Sequence, residues 1–432
     1  MKFYARVLFL YCLLLIVIWI LIYSFKIQND SFKTSSRNTT WHKTFLHEAS
    51  SHKAPTNESS LNKISLHQKR KNESKKITEF YRIAITCYIP SSPNEVQTFL
   101  TMLYGSWRYI SNKKDEFSKT RHLVNRVNLI AFTHVDNIVI LKTVCQKYNA
   151  RLDKKNNDER CWYIRQDYEI DIGYDAINSF IMFNRTDIYK ILEPYKYTMR
   201  TDYDVFLTPT LYTWKAKKKL VVGIGGYSVF FTRKRLKQIS LKLNLTHKGV
   251  HDVGSTWFGE SKLFINLSKK VLENTVLIYL NEFNPKLPGL IKIKLQENED
   301  GIWPEWWRPV SLLYGAEVSL NHWIEDFSDL YKDNLDVSSC SNSSLWETPH
   351  IHCWHNDCEF QKFRFIDSLN EILKKNANIS SSFFHRFADN VYDKDVSKMT
   401  IKEYSTFIAW NSFGKYITKI IHQQNIPAST QR

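Results

Sequence analysis

Hydrophobic residues follow two alternating patterns from residue 77 onwards. The runs Arg82–Ile89 and Val127–Thr133 are rich in β-branched and aromatic side chains, which is typical of strands. Between them, a capping box at Ser92–Glu95 precedes apolar residues at helical spacing over Val96–Ile110. The same half of the chain predicts a short strand at Cys161–Ile164 and helices at Asn137–Tyr148, Gly173–Phe183 and Asp187–Leu192. This alternation predicts an α/β domain with a mainly parallel sheet flanked by helices.

The second half of the chain adds glycine-rich segments to this pattern. Leu220–Phe231 is predicted as a strand that bends at its glycines, whose spacing does not match a dinucleotide-binding loop. Tight packing against a neighbouring element is the preferred explanation for these glycines. Helices are predicted at Thr232–Leu245 and Leu263–Leu280, and the segment after Phe365 is predicted as helices packed on the outside of the domain.

The N-terminal segment differs from the rest of the chain. Val7–Phe25 contains 19 residues without a charge, and as a helix it would extend roughly 28 Å, enough to cross the core of a bilayer. We expect a signal anchor here, with a cleaved signal peptide as the alternative. Lys2 and Arg6 predict a cytosolic N-terminus. The predicted organisation is a cytosolic tail at 1–6, a transmembrane helix at 7–25, a disordered basic stem at 26–76, the main domain at 77–370 and a helical extension at 371–432.

Charge and cysteine content narrow the function classes. The net charge is +17, but much of it lies in the stem and no nucleic-acid-binding module is recognisable, so nucleic-acid binding is not expected. Six cysteines follow the predicted membrane span, and in an oxidising compartment they predict up to three disulfides with fifteen possible connectivities. Cys353 and Cys358 are near enough to pair locally. With nine N-x-S/T sequons beyond the span, these features predict a single-pass type II glycoprotein whose main domain lies on the lumenal or extracellular side.

The segment Lys196–Pro209, KYTMRTDYDVFLTP, is the strongest chemical signal in the chain. It predicts a strand, Tyr197–Thr201, that leads into Asp202 and Asp204, and side chains two residues apart on a strand point the same way. Mg²⁺ and Mn²⁺ prefer such oxygen ligands, and either ion would stabilise the departing diphosphate of a sugar nucleotide. A second such pattern, Asp393–Asp395, has no strand before it. The alternative is a pair of surface acids that caps the next turn, but apolar runs enclose these two acids.

Two other segments carry candidate chemistry. His251–Gly259, HDVGSTWFG, is predicted as a loop of small residues around one aromatic side chain. Trp257 is a candidate for stacking on a sugar ring, with a core tryptophan as the alternative. Asp252 and Glu260 are candidates for the general base that an inverting transferase needs. His350–Cys358, HIHCWHNDC, has the histidine and cysteine spacing of a structural zinc site, but disulfides are the more common fate of such thiols in an oxidising compartment.

Several of these segments resemble one enzyme class. Thr201–Pro209, Gly254–Gly259, His352–His355 and Phe360–Phe363 resemble a domain family of unknown function with a predicted GT-A fold. GT-A is the nucleotide-diphospho-sugar transferase fold of many Golgi glycosyltransferases. The resemblance covers roughly residues 78–370 and implies a GT-A-like sheet and a location in the Golgi membrane with a lumenal domain.

The resemblance also implies a site and an activity. In GT-A enzymes the two acids bind the metal and the donor, and a late histidine often completes the metal site. This implies a Mn²⁺ or Mg²⁺ site at Asp202, Asp204 and His352 or His355, with Lys362 against a donor phosphate. The expected activity is transfer of a sugar from a nucleoside-diphosphate sugar to a lumenal glycan or glycoprotein. The alternative is a membrane-anchored domain that binds glycans or acts as a scaffold without turnover.

Overall fold

The fold is described from a computed structural model that covers residues 80–417, except 156–157, 217–218, 326–334, 355–357, 359 and 376–394. All of these residues belong to one compact unit, Ile77–Arg432. The strands, β1 to β12 in chain order, are Tyr81–Ile89, Asn125–Thr133, Gln146–Lys147, Cys161–Arg165, Tyr197–Arg200, Val205–Leu207, Leu220–Ile224, Val253–Glu260, Gly301–Ile302, Trp306–Trp307, Val337–Ser338 and His350–His352.

Helices of very different lengths connect these strands. The α-helices, α1 to α12 in chain order, are Pro93–Thr101, Leu103–Asn112, Lys114–Ser118, Ile138–Leu141, Ala150–Lys155, Ile188–Leu192, Phe230–Lys242, Ser261–Glu282, Gly289–Gln296, Ser311–Trp323, Lys362–Lys375 and Ile401–Ser412. Short 3₁₀ helices lie at Val135–Asn137, Asp175–Asn184, Pro209–Tyr212, Arg308–Val310, Leu345–Glu347 and Val396–Lys398, and a π-helical turn lies at Phe413–Ile417.

The main sheet has seven strands in the order β3-β4-β2-β1-β5-β8-β7. The strands from β3 to β5 pair in parallel, whereas β8 runs antiparallel to both β5 and β7. The α/β class agrees with the prediction, but the predicted GT-A-like, mainly parallel sheet is corrected to a mixed sheet. The sequence of β8 has little apolar alternation, and this is why its pattern predicts a loop.

The central strand β1 is buried on both faces, and its side chains alternate between two cores. Ile83 and Ile85 face a core that α1, α2 and α12 cover, and Tyr404 of α12 lies completely buried in it. Ala84 and Tyr88 face a second core that α8 and α10 cover. The helix α12 is therefore an integral layer of the domain, although it follows the boundary predicted at residue 370.

A second, smaller sheet is built from β11, β12 and β6. Within it β11 runs parallel to β12, and β12 runs antiparallel to β6. The backbone nitrogen of Leu207 in β6 donates a hydrogen bond to the hydroxyl of Ser106 in α2, and the carbonyl of Leu207 accepts one from Tyr404. These contacts fix β6 and, with it, the four residues that join β5 to β6.

The structure corrects the prediction of a membrane anchor. Among the helices within the described residues, none combines the length and apolar character that crossing a bilayer requires. The predictions of a single-pass type II protein and of a Golgi membrane location are corrected with it. The predicted span itself, Val7–Phe25, and the stem lie outside the described residues.

Local predictions met different outcomes. The predicted bend at Gly223 is confirmed, because the register between β7 and β8 shifts between Val222 and Ile224. The predicted helix Asn137–Tyr148 is wrong, since the chain forms a 3₁₀ turn, the short helix α4 and the edge strand β3 instead. Ser92 does precede α1, but its side chain caps no backbone amide.

Candidate metal-binding site

A cavity of about 430 Å³ opens where β1 and β5 end. Its wall includes Tyr88 at the end of β1, the segment Arg200–Asp204 after β5, and His352 and Lys362 from the C-terminal part of the chain. In an open α/β sheet, ligands bind beyond the carboxyl ends of parallel strands. The cavity therefore lies where a sheet of this kind places its ligands.

The two acids lie where the chain passes from the main sheet into the small sheet. The backbone nitrogen of Thr201 donates to the carbonyl of Thr86 in β1, which extends the pairing of β5 by one residue. Asp202 and Asp204 follow, and β6 starts directly after them. Their side chains are 27% and 12% exposed, respectively. Both carboxylates are therefore partly shielded while still reaching the cavity.

Strand register brings a histidine from far along the chain to these acids. His352, the last residue of β12, lies opposite Val205 of β6, which is the residue after Asp204. As a result, the Nε2 atom of His352 lies 3.8 Å from Oδ2 of Asp202 and 3.9 Å from Oδ1 of Asp204. The sequence-based interpretation named His352 or His355 as the third ligand. His352 meets the acids, and His355 lies outside the described residues.

A cationic side chain pairs with each acid. Arg200, whose side chain is 1% exposed, lies 2.7 Å from Oδ1 of Asp202 and also donates to the carbonyl of Ser255. Lys362, the first residue of α11, donates to Oδ2 of Asp204. Burial alone would raise the pKa of Asp202, but Arg200 and His352 outweigh it and the pKa is lowered. Burial alone would lower the pKa of Lys362, but Asp204 outweighs it and the pKa is raised.

The donor set of these residues fits a divalent cation. One ligand atom each from Asp202, Asp204 and His352 lies within 4.8 Å of the other two. Carboxylate oxygens suit both Mg²⁺ and Mn²⁺, but magnesium sites are normally built from oxygen alone. Imidazole is a ligand of transition-metal ions, so His352 favours Mn²⁺ over Mg²⁺. Atoms at neighbouring coordination positions of one ion lie closer together than the present separations of 3.8–3.9 Å, so in such an arrangement the three side chains would move inward by a few tenths of an ångström or more on binding.

Three other predicted site residues lie away from this cavity. The ring of Trp257 is completely buried between Phe180 and Phe264, so the prediction that it stacks on a sugar is wrong. Glu260 pairs with the first residue of β5, at the opposite end of that strand from Asp202. Asp252 accepts from the backbone nitrogen of Ser228 and pairs with Arg233. Neither carboxylate lines the cavity, so their predicted role as general base at this site is corrected.

The cysteines exclude the structural zinc interpretation. Cys340 is bonded to Cys358, and Cys145 to Cys161, so the local pairing of Cys353 with Cys358 that the sequence leaves open does not form. Cys87 and Cys353 are buried free thiols. Burial raises the pKa of both thiols well above its usual value, so they stay protonated at neutral pH.

A second cluster of possible ligands is formed by His247, His251 and Glu317. The backbone nitrogen of Gly249 donates to Nδ1 of His247, so the proton of the neutral ring lies on Nε2, 3.3 Å from Oε1 of Glu317. Nδ1 of His251 lies 2.6 Å from the same oxygen. A metal ion at Nε2 of His247 would need the opposite tautomer, in which this nitrogen carries no proton. The cluster is therefore better described as a buried carboxylate that accepts hydrogen bonds from two histidines than as a metal site.

Two residues that contact the candidate metal ligands, Arg200 and Asp336, are not predicted from the sequence. Arg200 lies within the motif that contains the two acids, and its position two residues before Asp202 on a strand is a usable signal for their pairing. Asp336 precedes β11, and its Oδ1 atom lies 3.5 Å from Nδ1 of His352. Nothing in the pattern around Asp336 singles it out. The neighbouring His350 is completely buried, and burial lowers its pKa to about 4.

Comparison with known proteins gives a family but no activity. The family described as a domain of unknown function, DUF7164, matches residues 77–422, so the chain belongs to that family. No curated protein matches the chain. The match begins just before β1 and extends beyond α12, so it includes the seven-stranded main sheet, the small sheet of β11, β12 and β6, and the cavity.

Proposed function

We propose that this member of the DUF7164 family is a metal-dependent glycosyltransferase. Its substrates would be a nucleoside-diphosphate sugar, bound with Mn²⁺ or Mg²⁺, and an acceptor hydroxyl of a glycan or glycoprotein. The observation that carries the proposal is the convergence of Asp202, Asp204 and His352 at the end of a strand, inside a cavity that also contains Lys362.

The charges around the cavity support a diphosphate ligand. The carboxylates of Asp202 and Asp204 pair with the cations of Arg200 and Lys362, and the carboxylate of Asp336 lies beside His352. Glu95 and Asp175 also line the cavity. With neutral histidines the side chains in and beside it therefore carry a net negative charge, which attracts a divalent cation. A bound cation would in turn supply the positive charge that a diphosphate needs.

The proposed chemistry assigns separate tasks to these residues. A bound divalent ion would stabilise the negative charge of the departing diphosphate. The Lys362 ammonium lies beside Asp204 and can donate to a phosphate oxygen as well. Arg200, fully buried, holds the Asp202 carboxylate in place. Besides the two acids of the motif, Glu95 and Asp175 are the carboxylates that line the cavity, and they replace Asp252 and Glu260 as candidates for deprotonating the acceptor hydroxyl.

A domain that binds a glycan or acts as a scaffold without turnover remains the second candidate. The specific observation in its favour is that Asp202 and Asp204 are each already neutralised by a cation of the chain itself. Such pairs can hold a site together without a metal ion. The two candidates differ in whether a divalent cation is required for nucleotide binding.

The test uses the full-length protein and isothermal titration calorimetry. Titration of UDP and GDP with Mn²⁺, with Mg²⁺ and with EDTA should show binding that depends on the cation. A panel of sugar nucleotides should then show slow, cation-dependent hydrolysis of at least one member. Nucleotide binding that is equal in EDTA, or no binding with either cation, would contradict the proposal.

A further inference from the structure

We infer that Asp336 is a positioning residue that holds His352 in the tautomer that binds metal. This inference rests on the proposed function, because it concerns the same cation. The side chain of Asp336 is 1% exposed, and its Oδ1 atom has no hydrogen-bond partner within the described part of the chain. A buried carboxylate oxygen that accepts no hydrogen bond destabilises the folded protein. The nearest groups that could donate to Oδ1 are therefore the candidates for the partner of Asp336.

Two ring nitrogens lie close to this oxygen. Nδ1 of His350 is 3.3 Å from Oδ1 of Asp336, and Nδ1 of His352 is 3.5 Å from it. The backbone nitrogen of Asp336 donates to Nδ1 of His350, so that nitrogen offers a lone pair and not a proton. Nε2 of His350 then carries the ring proton and donates to the hydroxyl of Thr201 at 2.8 Å. His352 is consequently the ring that can supply a proton to Asp336.

A proton on Nδ1 of His352 determines the state of the other nitrogen. In the neutral ring, Nε2 then carries a lone pair, and this atom is the one that faces Asp202 and Asp204. A carboxylate that accepts from the distal nitrogen of a metal-binding histidine fixes its ring orientation and raises its basicity. The separation of 3.5 Å would shorten as His352 and the acids move inward around an ion.

The position of the Asp336 side chain depends on an unusual backbone angle and on two nearby glycines. Its φ angle is +59°, in the left-handed region that aspartate and asparagine tolerate better than most residues. Its other oxygen, Oδ2, accepts from the backbone nitrogen of Thr256 at 3.1 Å. A Cβ atom at Gly223 would lie 1.8 Å from Oδ2, and one at Gly254 would lie 2.6 Å from it. The absence of side chains at Gly223 and Gly254 and the left-handed φ angle of Asp336 therefore allow its carboxylate to lie with Oδ1 near His352.

The principal test replaces Asp336 by Asn, which keeps the shape and tolerates the left-handed backbone. In the full-length protein, Asp336→Asn should weaken Mn²⁺ binding roughly 10- to 100-fold, as other losses of such a partner do. Electron spin echo spectra of bound Mn²⁺ should show a ¹⁴N coupling in the parent protein that is absent in His352→Gln and reduced in Asp336→Asn. Glu317→Gln is the matched control, because it also removes a buried carboxylate but lies in the other cluster. It should leave affinity and coupling unchanged.

The outcomes separate this inference from the proposed function. Equal Mn²⁺ affinity and equal ¹⁴N coupling in the parent and Asp336→Asn would overturn the role of Asp336 and leave the glycosyltransferase proposal standing. A parent protein that binds no Mn²⁺ would overturn both. The parent also allows a test without a change at Asp336: ¹⁵N-histidine NMR, assigned with His352→Gln, should show the proton of His352 on Nδ1. A proton on Nε2 would overturn the inference even if Asp336→Asn does not fold.

Discussion

Lys362 donates a hydrogen bond to Asp204 although the two residues are 158 positions apart in the chain. Asp202, in contrast, pairs with Arg200, which is its neighbour but one along the chain. The lysine side chain is 15% exposed, whereas the arginine side chain is 1% exposed. Asp202 is therefore paired with a buried cation, and Asp204 with a more exposed one. Substitutions of the two acids should consequently differ in their effect on stability.

The first prediction compares Asp202→Asn with Asp204→Asn. Both should abolish Mn²⁺-dependent nucleotide binding, because each removes a charged ligand. Asp202→Asn should also lower the free energy of unfolding by about 1–3 kcal/mol, since it leaves the buried Arg200 without its counter-charge. Asp204→Asn should cost less than Asp202→Asn, because Lys362 is the more exposed of the two cations and its flexible side chain can turn towards solvent. Urea denaturation measures the difference. Equal destabilisation would contradict this account of the two ion pairs.

A second prediction concerns the cluster around Glu317. Its carboxylate accepts from His247, His251, Tyr227 and the backbone nitrogen of Asp252. Burial alone would raise the pKa of Glu317, but the two histidines outweigh it and the pKa is lowered. A lowered pKa in the folded state stabilises the protein above the unfolded value of about 4.3, and this contribution is lost as the pH falls through the folded value.

Glu317→Gln should therefore lower the free energy of unfolding at pH 7 by about 2 kcal/mol. The difference from the parent should narrow as the pH falls below about 4.3. Urea denaturation at several pH values measures it, and Glu273→Gln, a change at an exposed residue, is the control. A difference that does not change with pH would show that the charge of Glu317 is not what matters.

How far the sequence determines the fold differs between elements. The strands β1, β2, β4 and β5 lie within a few residues of their predicted positions, because uninterrupted β-branched and aromatic runs have few other ways to be buried. The segment Asn137–Tyr148 has helical spacing, but Gln146 and Lys147 pair with β4 and Cys145 is bonded to Cys161. Tertiary contacts outweigh a weak local preference there.

The candidate site shows the same division. Asp202 and Asp204 are predictable because they end a buried strand, and His352 is identified through a resemblance in its segment. Its contact with the acids depends on the register of β12 against β6, which no local pattern specifies. Asp336 is not predictable at all, since its role arises from a left-handed backbone angle and from space left by two glycines. The prediction for Trp257 is wrong because small residues on both sides conceal a buried strand.

The third prediction tests whether Asp336 needs the space that the missing side chain of Gly223 leaves. In Gly223→Ala, the new Cβ atom would lie 1.8 Å from Oδ2 of Asp336, so Asp336 has to shift. We expect a loss of about 1–3 kcal/mol in stability, as for other overpacked sites, together with weaker Mn²⁺ binding. Gly226→Ala is the matched control three residues away, since a Cβ atom there would meet no other atom of the described chain within 4 Å. Thermal unfolding and Mn²⁺ titration distinguish them, and identical behaviour would count against the role of the glycine.

The fourth prediction uses the two disulfides as a matched pair. Cys340–Cys358 and Cys145–Cys161 have sequence separations of 18 and 16 residues, so the loss of either should cost about 3 kcal/mol by loop closure. Cys358 lies between His352 and Lys362, however, whereas the other disulfide lies at the β3–β4 edge of the main sheet. Replacing Cys340 and Cys358 by Ser should weaken Mn²⁺ binding as well. The same change at Cys145 and Cys161 should not, and an effect of equal size there would refute the distinction.

The last prediction concerns the two tasks assigned to Lys362. Its ammonium binds Oδ2 of Asp204, whereas Oδ1 of the same carboxylate faces His352. In the absence of nucleotide, lysine and metal therefore compete for the charge of one carboxylate. Lys362→Gln should therefore bind Mn²⁺ alone as tightly as the parent or several-fold more tightly. With Mn²⁺ saturating, the same variant should bind UDP or GDP about tenfold more weakly, because a charged hydrogen bond to phosphate is lost.

This prediction is specific because Lys362→Gln should weaken the binding of nucleotide without weakening the binding of Mn²⁺. A general loss of structure would weaken both, and an exposed lysine without a role would change neither. Lys269→Gln, at a residue of α8 whose ammonium lies 5.0 Å from the ring centroid of Tyr189, is the control for charge alone. Titration of each variant, first with Mn²⁺ and then with nucleotide, gives both affinities. Weaker Mn²⁺ binding by Lys362→Gln would mean that the lysine supports the metal site and does not compete with the ion.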